Sequence, residues 1–209
     1  MIETLLTIVI LILSVIAHEV AHGYAASALG DPTAKLAGRL TLNPLAHIDV
    51  FGSVIIPALL VLSNAGVLFG WAKPVPYNPY NLRNQRYGEA IVAAAGSATN
   101  LFLAIVFGLI ARVALSYGMT TVVGVAGSIC FVNLFLGFFN LIPFPPMDGY
   151  TVVRGLLPFQ LSFELREFEN RIRAWGVGGM VLVLLIFSFI FAGPFFHLIS
   201  WIFNLLVGV

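Results

Sequence analysis

Residues 4–29 read TLLTIVILILSVIAHEVAHGYAASAL, an apolar run long enough to cross a bilayer as one helix. His18, Glu19 and His22 interrupt this run at a depth where ionisable side chains are costly and mark functional sites. Because residues four apart share one face of a helix, the two imidazoles can face a single object. The spacing is that of zinc-binding helices in which the glutamate acts as a general base. The run therefore predicts a metal site within a membrane-spanning helix.

The composition excludes an ordinary soluble domain. Hydrophobic residues make up 60% of the 209 residues and charged residues only 9%, whereas soluble domains carry about 25% charged residues. The mean hydropathy is +1.01. We expect an all-α polytopic membrane protein with a single domain over residues 1–209, made of a core at 1–157 and a surface helix and apolar segments at 158–209. A nucleic-acid partner is not expected, because the sequence has no basic stripe with interleaved aromatic residues.

Apolar stretches predict about five to six transmembrane or re-entrant segments. They cover residues 4–29, 50–70, 89–116, 120–142 and 176–208. The last stretch is too long for one helix and is cut by Gly193-Pro194, so it is either two short spans or one kinked span. Cys130 is the only cysteine, which excludes an intrachain disulfide and favours a small buried hydrophobe.

Two segments outside these stretches have recognisable patterns. Residues 36–42 alternate weakly between apolar and polar residues and could form a short β-strand. The sequence ELREFENRIRAW at 164–175 is typical of an amphipathic helix that lies on the membrane surface.

Asp148 is the best candidate for a third metal ligand. A catalytic zinc site takes three protein ligands and keeps a fourth position open, and His18 and His22 supply two of them. Asp148 follows an apolar span within NLIPFPPMDGY (140–150), where prolines prevent regular helix and Gly149 permits close approach. The alternative is a loop carboxylate that simply faces water, and the residues alone leave both interpretations open.

The position of these residues within their spans constrains the topology. His18 and His22 lie in the C-terminal half of one span and Asp148 lies at the C-terminal end of another. They reach the same membrane leaflet only if the two spans run parallel, with the span 89–116 crossing once between them. Segment 50–70 must then be re-entrant or a shallow hairpin, which its glycines and proline allow when it packs against protein. The alternative is a segment that spans fully, which would move Lys35 and Arg39 to the other side of the membrane.

The charge distribution agrees with this topology. All lysines and arginines except Arg112 fall on the side of the candidate metal site. By the positive-inside rule that side faces the cytoplasm. We expect a multi-pass protein of a prokaryotic inner membrane, whose first apolar run is retained because it lacks a basic n-region and a cleavage site.

Five stretches resemble the site-2 protease family of intramembrane zinc metalloproteases. They are HEVAH (18–22), GDPTAKLAGRLTLNPLAHID (30–49), GWAKPVPYNPYNLR (70–83), AGSATN (95–100) and NLIPFPPMDG (140–149). The combination of HExxH on one apolar segment with NxxPxPxxDG on a later one is highly specific. Ser97 and Tyr150 depart from the pattern, because relatives often have proline and glycine there. The PDZ or CBS modules of some relatives are not found, so the resemblance is to a compact form.

The resemblance implies one zinc ion per chain, held by His18, His22 and Asp148. It also implies that Glu19 is the base that activates water and that the substrate is a transmembrane protein or peptide. Asn140 and Asn100 are candidates for support of the substrate or the oxyanion, and the alternative for each is an interhelical hydrogen bond.

Two other function classes remain as alternatives. A membrane metal-ion carrier would need several polar sites along a path, and the spans carry few ionisable groups outside the central cluster. A non-catalytic membrane scaffold would have no need for the carboxylate of Glu19. The sequence does not predict the oligomeric state.

Overall fold

The computed structural model describes residues 2–55, 72–176 and 187–208, together with residues 59, 62, 178, 179 and 185. These residues are mostly helical, and no β-strand occurs among them. The all-α polytopic fold expected from the composition is confirmed. Within the described ranges, four helices are long and apolar enough to cross a membrane by length and composition: Glu3–Ala28, Gly88–Ser116, Thr120–Asn140 and Phe187–Val207.

The α-helices are numbered here in chain order over the described residues. They are α1 (Ile2–Ala28), α2 (Thr33–Leu36), α3 (Gly88–Ser116), α4 (Thr120–Asn140), α5 (Asp148–Leu156), α6 (Phe159–Ala174) and α7 (Ala192–Val207). Short 3-10 helices occur at Pro44–His47 and Pro79–Asn81, and π-helical turns occur at Val50–Ile55 and Phe187–Phe191.

Glycines with positive φ lie at two places where a long helix ends and the chain changes direction. Gly30 has a φ of +106°, and it follows α1 as the left-handed residue of a Schellman motif. In this motif the N–H of Asp31 donates to the Ala26 carbonyl at 2.9 Å and the N–H of Gly30 donates to the Ser27 carbonyl at 3.1 Å. Gly118, with a φ of +69°, lies in the short turn that joins α3 to α4 as an antiparallel hairpin.

Helix α3 packs against both α1 and α4. Ser14 and His22 of α1 contact Asn100 and Val92 of α3, respectively, so α1 and α3 run antiparallel. Helix α4 therefore runs parallel to α1. This is the direction that His18, His22 and Asp148 require if they are to lie in the same membrane leaflet. Small buried residues let α3 approach its neighbours closely: Ala93, Gly96, Ala104, Gly108 and Ala111.

The main apolar core lies between α3, α4 and α7. Ala104, Cys130, Leu134 and Ile199 are its most buried members, and phenylalanines of α4 and α7 surround them. Cys130 has no solvent exposure, so the interpretation as a small buried hydrophobe is confirmed.

The short β-strand expected near residues 36–42 is not formed. Residues Thr33–Leu36 make one helical turn, and Gly38 then reverses the chain with a φ of +65°. The N–H of Arg39 donates to the Ala34 carbonyl at 2.9 Å, so local bonds take the place of strand pairing. The weak alternation of apolar and polar residues over 36–42 favours a strand less than the local hydrogen bonds favour these turns.

Part of the C-terminal apolar stretch 176–208 lies outside the described residues, so the choice between two short spans and one kinked span stays a prediction. Gly193 and Pro194 lie in the first turn of α7, and Phe187–Val207 forms one candidate span through them. Proline is tolerated there because the first N–H groups of a helix have no partner within the helix. The π-helical turn Phe187–Phe191 directly precedes α7.

Two further segment predictions have different outcomes. The amphipathic stretch at 164–175 lies almost entirely in α6, so the predicted helix is confirmed. Most of segment 50–70 lies outside the described residues, and its re-entrant course stays a prediction.

Candidate metal centre

His18 and His22 lie on the face of α1 that packs against α3. His18 Nδ1 is 2.6 Å from Asn100 Oδ1, and His22 Nδ1 is 2.7 Å from the Val92 carbonyl oxygen. Both partners only accept hydrogen bonds, so each neutral imidazole carries its hydrogen on Nδ1. Each Nε2 atom then presents a lone pair, which is the state that metal-ligating histidines adopt.

Gly96 makes room for both imidazole rings. A Cβ atom at this position would lie 2.5 Å from His22 Cε1 and 2.7 Å from His18 Cε1. Val92, Gly96 and Asn100 are spaced four apart and therefore share one face of α3. This face supplies a carbonyl acceptor, a gap for the rings and an amide acceptor in that order.

Asp148, the first residue of α5, completes a group of three converging side chains. Its Oδ2 atom is 3.0 Å from His18 Nε2 and 3.3 Å from His22 Nε2. The two Nε2 atoms are 3.0 Å apart. Among the described residues, His18, His22 and Asp148 thus form a group of three potential metal ligands whose ligand atoms all lie within 4.8 Å of one another.

The chemistry of this group fits a divalent cation. The buried Asp148 Oδ2 has no hydrogen-bond partner among the described residues, and the Nε2 atoms that face it carry lone pairs. Three electron-rich atoms so close together repel one another unless a positive charge lies between them. Two imidazole nitrogens and one carboxylate oxygen are suitable donors for a catalytic zinc ion.

Helix α5 is held in place by close packing and by charge. A Cβ atom on Gly149 would overlap the Leu141 carbonyl and lie 2.8 Å from the Ile142 carbonyl oxygen, so the close approach allowed by this glycine is used. Arg154 pairs with Glu89 and with Glu169, the latter at 2.6 Å.

These ion pairs extend into a cluster that joins three helices. Arg166 Nη2 donates to Glu89 Oε2 at 2.8 Å. We call Glu89, Arg154, Arg166 and Glu169 the charged cluster. It ties α5, and with it Asp148, to the start of α3 and to α6.

The Glu19 carboxylate contacts the backbone of another segment. Its Oε2 atom accepts a hydrogen bond from the Val75 N–H at 2.9 Å. Val75 is buried and has proline on either side, at positions 74 and 76. Arg39 Nη2 donates to the Lys73 carbonyl at 2.7 Å, which secures the residues just before Val75.

Asp31 secures the residues just after Val75. This fully buried carboxylate accepts hydrogen bonds from the Asn78 N–H at 2.7 Å, Asn81 Nδ2 at 2.9 Å and Thr33 Oγ1 at 2.5 Å. Burial raises the pKa of Asp31, but the hydrogen bonds from Thr33, Asn81 and Asn78 outweigh it and the pKa lies below its usual value.

The two asparagines singled out from the sequence have different surroundings. Asn100 has no solvent exposure and lies beside His18. Asn140 is partly buried, and its Nδ2 donates to the Leu136 carbonyl of its own helix at 3.0 Å. Sequence reasoning missed Asn133 and Ser14, which contact Asn100. A polar amide in the middle of the apolar stretch 120–142 is the signal that could have identified Asn133.

Comparison with known proteins identifies the family. The chain is 37% identical to the “Putative zinc metalloprotease YwhC” of Bacillus subtilis over 170 residues, which cover 78% of this chain and 74% of that protein. The chain belongs to the site-2 protease family of zinc metalloproteases. It is therefore an enzyme, a zinc metalloprotease, and the four apolar helices among its described residues make it an integral membrane protein.

Two other relatives extend this comparison. The “Putative zinc metalloprotease Rip2” of Mycolicibacterium smegmatis is 28% identical over 202 residues, which cover 92% of this chain and 71% of that protein. The “Putative zinc metalloprotease Rip3” of Mycobacterium tuberculosis is 39% identical over 97 residues, 45% of this chain and 24% of that protein. No family model matches the chain, and no solved structure matches it significantly.

Proposed function

We propose that this zinc metalloprotease is an intramembrane endopeptidase that hydrolyses peptide bonds in or near transmembrane segments of other proteins. One observation carries the proposal: the HExxH residues lie in a helix of membrane-spanning length, and Asp148 reaches both histidines there. A soluble substrate would not require the ligands to be placed in an apolar span, where polar groups are costly.

We assign His18, His22 and Asp148 as the ligands of one zinc ion per chain. Zinc bound by these residues supplies a Lewis acid that polarises a carbonyl and lowers the pKa of water. Glu19 follows a ligand directly in the sequence and acts as the general base, taking the proton of the attacking water and passing it to the leaving amine. The Val75 N–H holds Glu19 Oε2, which leaves Oε1 to receive the proton.

The proposed substrate must lose its helical structure before cleavage. In a transmembrane helix each carbonyl accepts a hydrogen bond from the N–H four residues later, so it is shielded from attack until the helix unwinds locally. Asn140, at the C-terminal end of α4, is a candidate for contact with the extended substrate backbone. We further propose that the metal-bearing half faces the cytoplasm of a prokaryotic inner membrane, in line with the positive-inside rule.

Replacement of Glu19 tests the mechanism. Wild-type protein and Glu19→Gln are reconstituted with zinc in liposomes that contain a membrane-embedded test substrate, and cleavage and bound zinc are measured together. We expect Glu19→Gln to lose cleavage by about 10²- to 10⁴-fold, the contribution of a general base, and to retain zinc. Glu167→Gln, the same change at an exposed position of α6, serves as the matched control and should cleave like wild type.

Each other outcome contradicts the proposal in a recognisable way. Zinc transport across the liposome membrane that persists in Glu19→Gln would indicate the carrier. Bound zinc without cleavage in either protein would indicate the scaffold. Cleavage that is equal in wild type and Glu19→Gln would exclude Glu19 as the base.

A further inference from the structure

A chain of buried polar side chains connects His18 to a third span. Asn100 Nδ2 on α3 donates to Asn133 Oδ1 on α4 at 2.8 Å, and Asn133 Nδ2 donates to Ser14 Oγ on α1 at 2.9 Å. Asn100 and Asn133 have no solvent exposure, and Ser14 and His18 are 5% and 6% exposed. We call His18, Asn100, Asn133 and Ser14 the amide chain.

Backbone carbonyls fix the direction of the hydrogen bonds in the amide chain. Asn133 Nδ2 also donates to the Ile129 carbonyl at 2.9 Å, and Asn100 Nδ2 also donates to the Ser14 carbonyl at 3.3 Å. A carbonyl oxygen can only accept, so turning either side-chain amide around would place two acceptors face to face. Asn100 Oδ1 is therefore the atom that faces His18.

This direction determines which ring nitrogen of His18 carries the hydrogen. Asn100 Oδ1 only accepts, so the hydrogen of the neutral imidazole is on Nδ1 and the lone pair is on Nε2, towards Asp148. His22 reaches the same state directly through the Val92 carbonyl of the backbone. Of the two histidines, only His18 depends on side chains that substitution can remove.

We infer that Asn100 and Asn133 are positioning residues for the metal site, an inference that rests on the proposed zinc ligation by His18. Asn100 selects the tautomer and orientation of the His18 ring, and Asn133 acts through Asn100 by fixing the direction of its amide. The hydrogen bonds of both amides are made inside a low-dielectric interior, where an unpaired amide is costly and a paired one is held firmly. This role differs from the substrate support expected for Asn100 from the sequence.

The zinc dissociation constant of purified protein, measured by competition with a chelator, tests the inference. Asn100→Leu should bind zinc about 10- to 100-fold more weakly, the usual effect of losing the partner of a metal-ligating histidine. Asn100→Asp retains an acceptor for His18 Nδ1 but loses the Nδ2 donor to Asn133 and to the Ser14 carbonyl, so its zinc affinity should lie between those of wild type and Asn100→Leu. Asn133→Leu should lose affinity by about 3- to 10-fold, the effect of one neutral hydrogen bond.

A matched control is available on the same helix. Ser128→Ala removes a hydroxyl of α4 whose hydrogen bond among the described residues is to the Gly124 carbonyl of its own helix, and it should leave the zinc dissociation constant unchanged. Activity of Asn100→Leu is also measured at saturating zinc. Recovery there supports the positioning role, whereas wild-type zinc affinity with a permanent activity loss indicates substrate support and overturns it.

Two further results would overturn the inference. One is an equal loss of zinc affinity in Asn100→Leu and Asn100→Asp. The other is equal zinc affinity in Asn133→Leu and Ser128→Ala, which decides the question even if Asn100→Leu does not fold. A failure of the proposed protease function would appear separately, as absent cleavage by wild type, and would leave the order of zinc affinities measurable.

Discussion

The candidate metal centre has two sides that are held by different chemistry. The histidine side consists of His18 and His22 with the α3 face formed by Val92, Gly96 and Asn100, and its polar contacts are made by uncharged groups. The aspartate side consists of Asp148 and Gly149 of α5 with the charged cluster, and it is held by ion pairs.

The difference follows the position of each side relative to the apolar spans. The histidine side lies within two candidate spans, where a charged support would have to be desolvated at high cost. Carbonyl and amide groups orient the imidazoles there without adding charge. The aspartate side begins after α4 has ended. Outside the apolar span, charged side chains are less costly to place. Helix α3 serves both sides, because its first turn carries Glu89 and the turns that follow carry the histidine partners Val92 and Asn100.

The largest effect is expected from filling the gap on the histidine side. Gly96→Ala would place a Cβ within 2.7 Å of both imidazole rings, so at least one ring must move. We expect loss of zinc binding and of cleavage by at least about 100-fold, because a displacement of about 1 Å in a catalytic group costs this much. Zinc content and cleavage are measured on the purified protein.

The control for this substitution is Gly124→Ala on α4. A Cβ at Gly124 meets nothing within 4 Å, so zinc binding should be unchanged and the helix slightly stabilised. Normal zinc binding by Gly96→Ala would show that the histidine side can adapt, and it would break the contrast between the two sides.

The aspartate side is expected to respond first through stability. Arg154→Met would leave the buried carboxylate of Glu169 and the partly buried carboxylate of Glu89 without this cation, and breaking a buried ion pair costs about 3–5 kcal/mol. Thermal unfolding in detergent measures the loss, and zinc affinity should fall with it because α5 carries Asp148. Arg171→Met is the control, since its pairing with Glu167 is exposed at 3.9 Å and is worth about 0.3–0.5 kcal/mol.

Zinc affinity distinguishes two explanations for Arg154→Met. A large loss of stability with unchanged zinc affinity would mean that the charged cluster stabilises the fold but does not place Asp148. The two sides of the centre would then be independent of each other.

A smaller effect is expected at Asp31, a carboxylate outside the spans whose named partners are neutral donors. Asp31→Asn should lower the free energy of unfolding by about 2 kcal/mol, because hydrogen bonds to a charged group contribute about 1.5–3 kcal/mol. The folded pKa of Asp31 is lowered, so its contribution is present above the unfolded pKa of about 3.9 and is lost as the pH falls through the folded value.

Unfolding measured at several pH values checks this prediction. The difference between wild type and Asp31→Asn should be constant above about pH 4 and should close below it. A difference that stays constant through this range would show that the charge of Asp31 contributes nothing, and it would restrict the role of charge outside the spans to ion pairs.

The sequence predicted the helical spans well because their signal is local. Runs of apolar residues of membrane-spanning length give α1, α3 and α4 directly, and the spacing of His18 and His22 follows from the helix period. The contrast between the strand expected at 36–42 and the turns that form there shows the limit. A weak alternation of seven residues carries little energy compared with the turn bonds around Gly38.

The supports of the candidate site were not predictable in the same way. The sequence shows Asn100 as a polar residue in an apolar span, but its contact with His18 depends on how α1 and α3 pack. The Val92 carbonyl and the Val75 N–H belong to the backbone, and every residue has such groups. Only the arrangement of the helices shows which of them are used.

The prolines beside Val75 make its contact with Glu19 all-or-none. Neither Pro74 nor Pro76 has a backbone N–H to donate, so a shift of residues 74–76 by one position in either direction would place a proline nitrogen without hydrogen against the carboxylate. Neither adjacent residue can therefore substitute for Val75. A one-residue error in the alignment of this segment with α1 costs the whole hydrogen bond, a penalty set by the covalent structure of three consecutive residues.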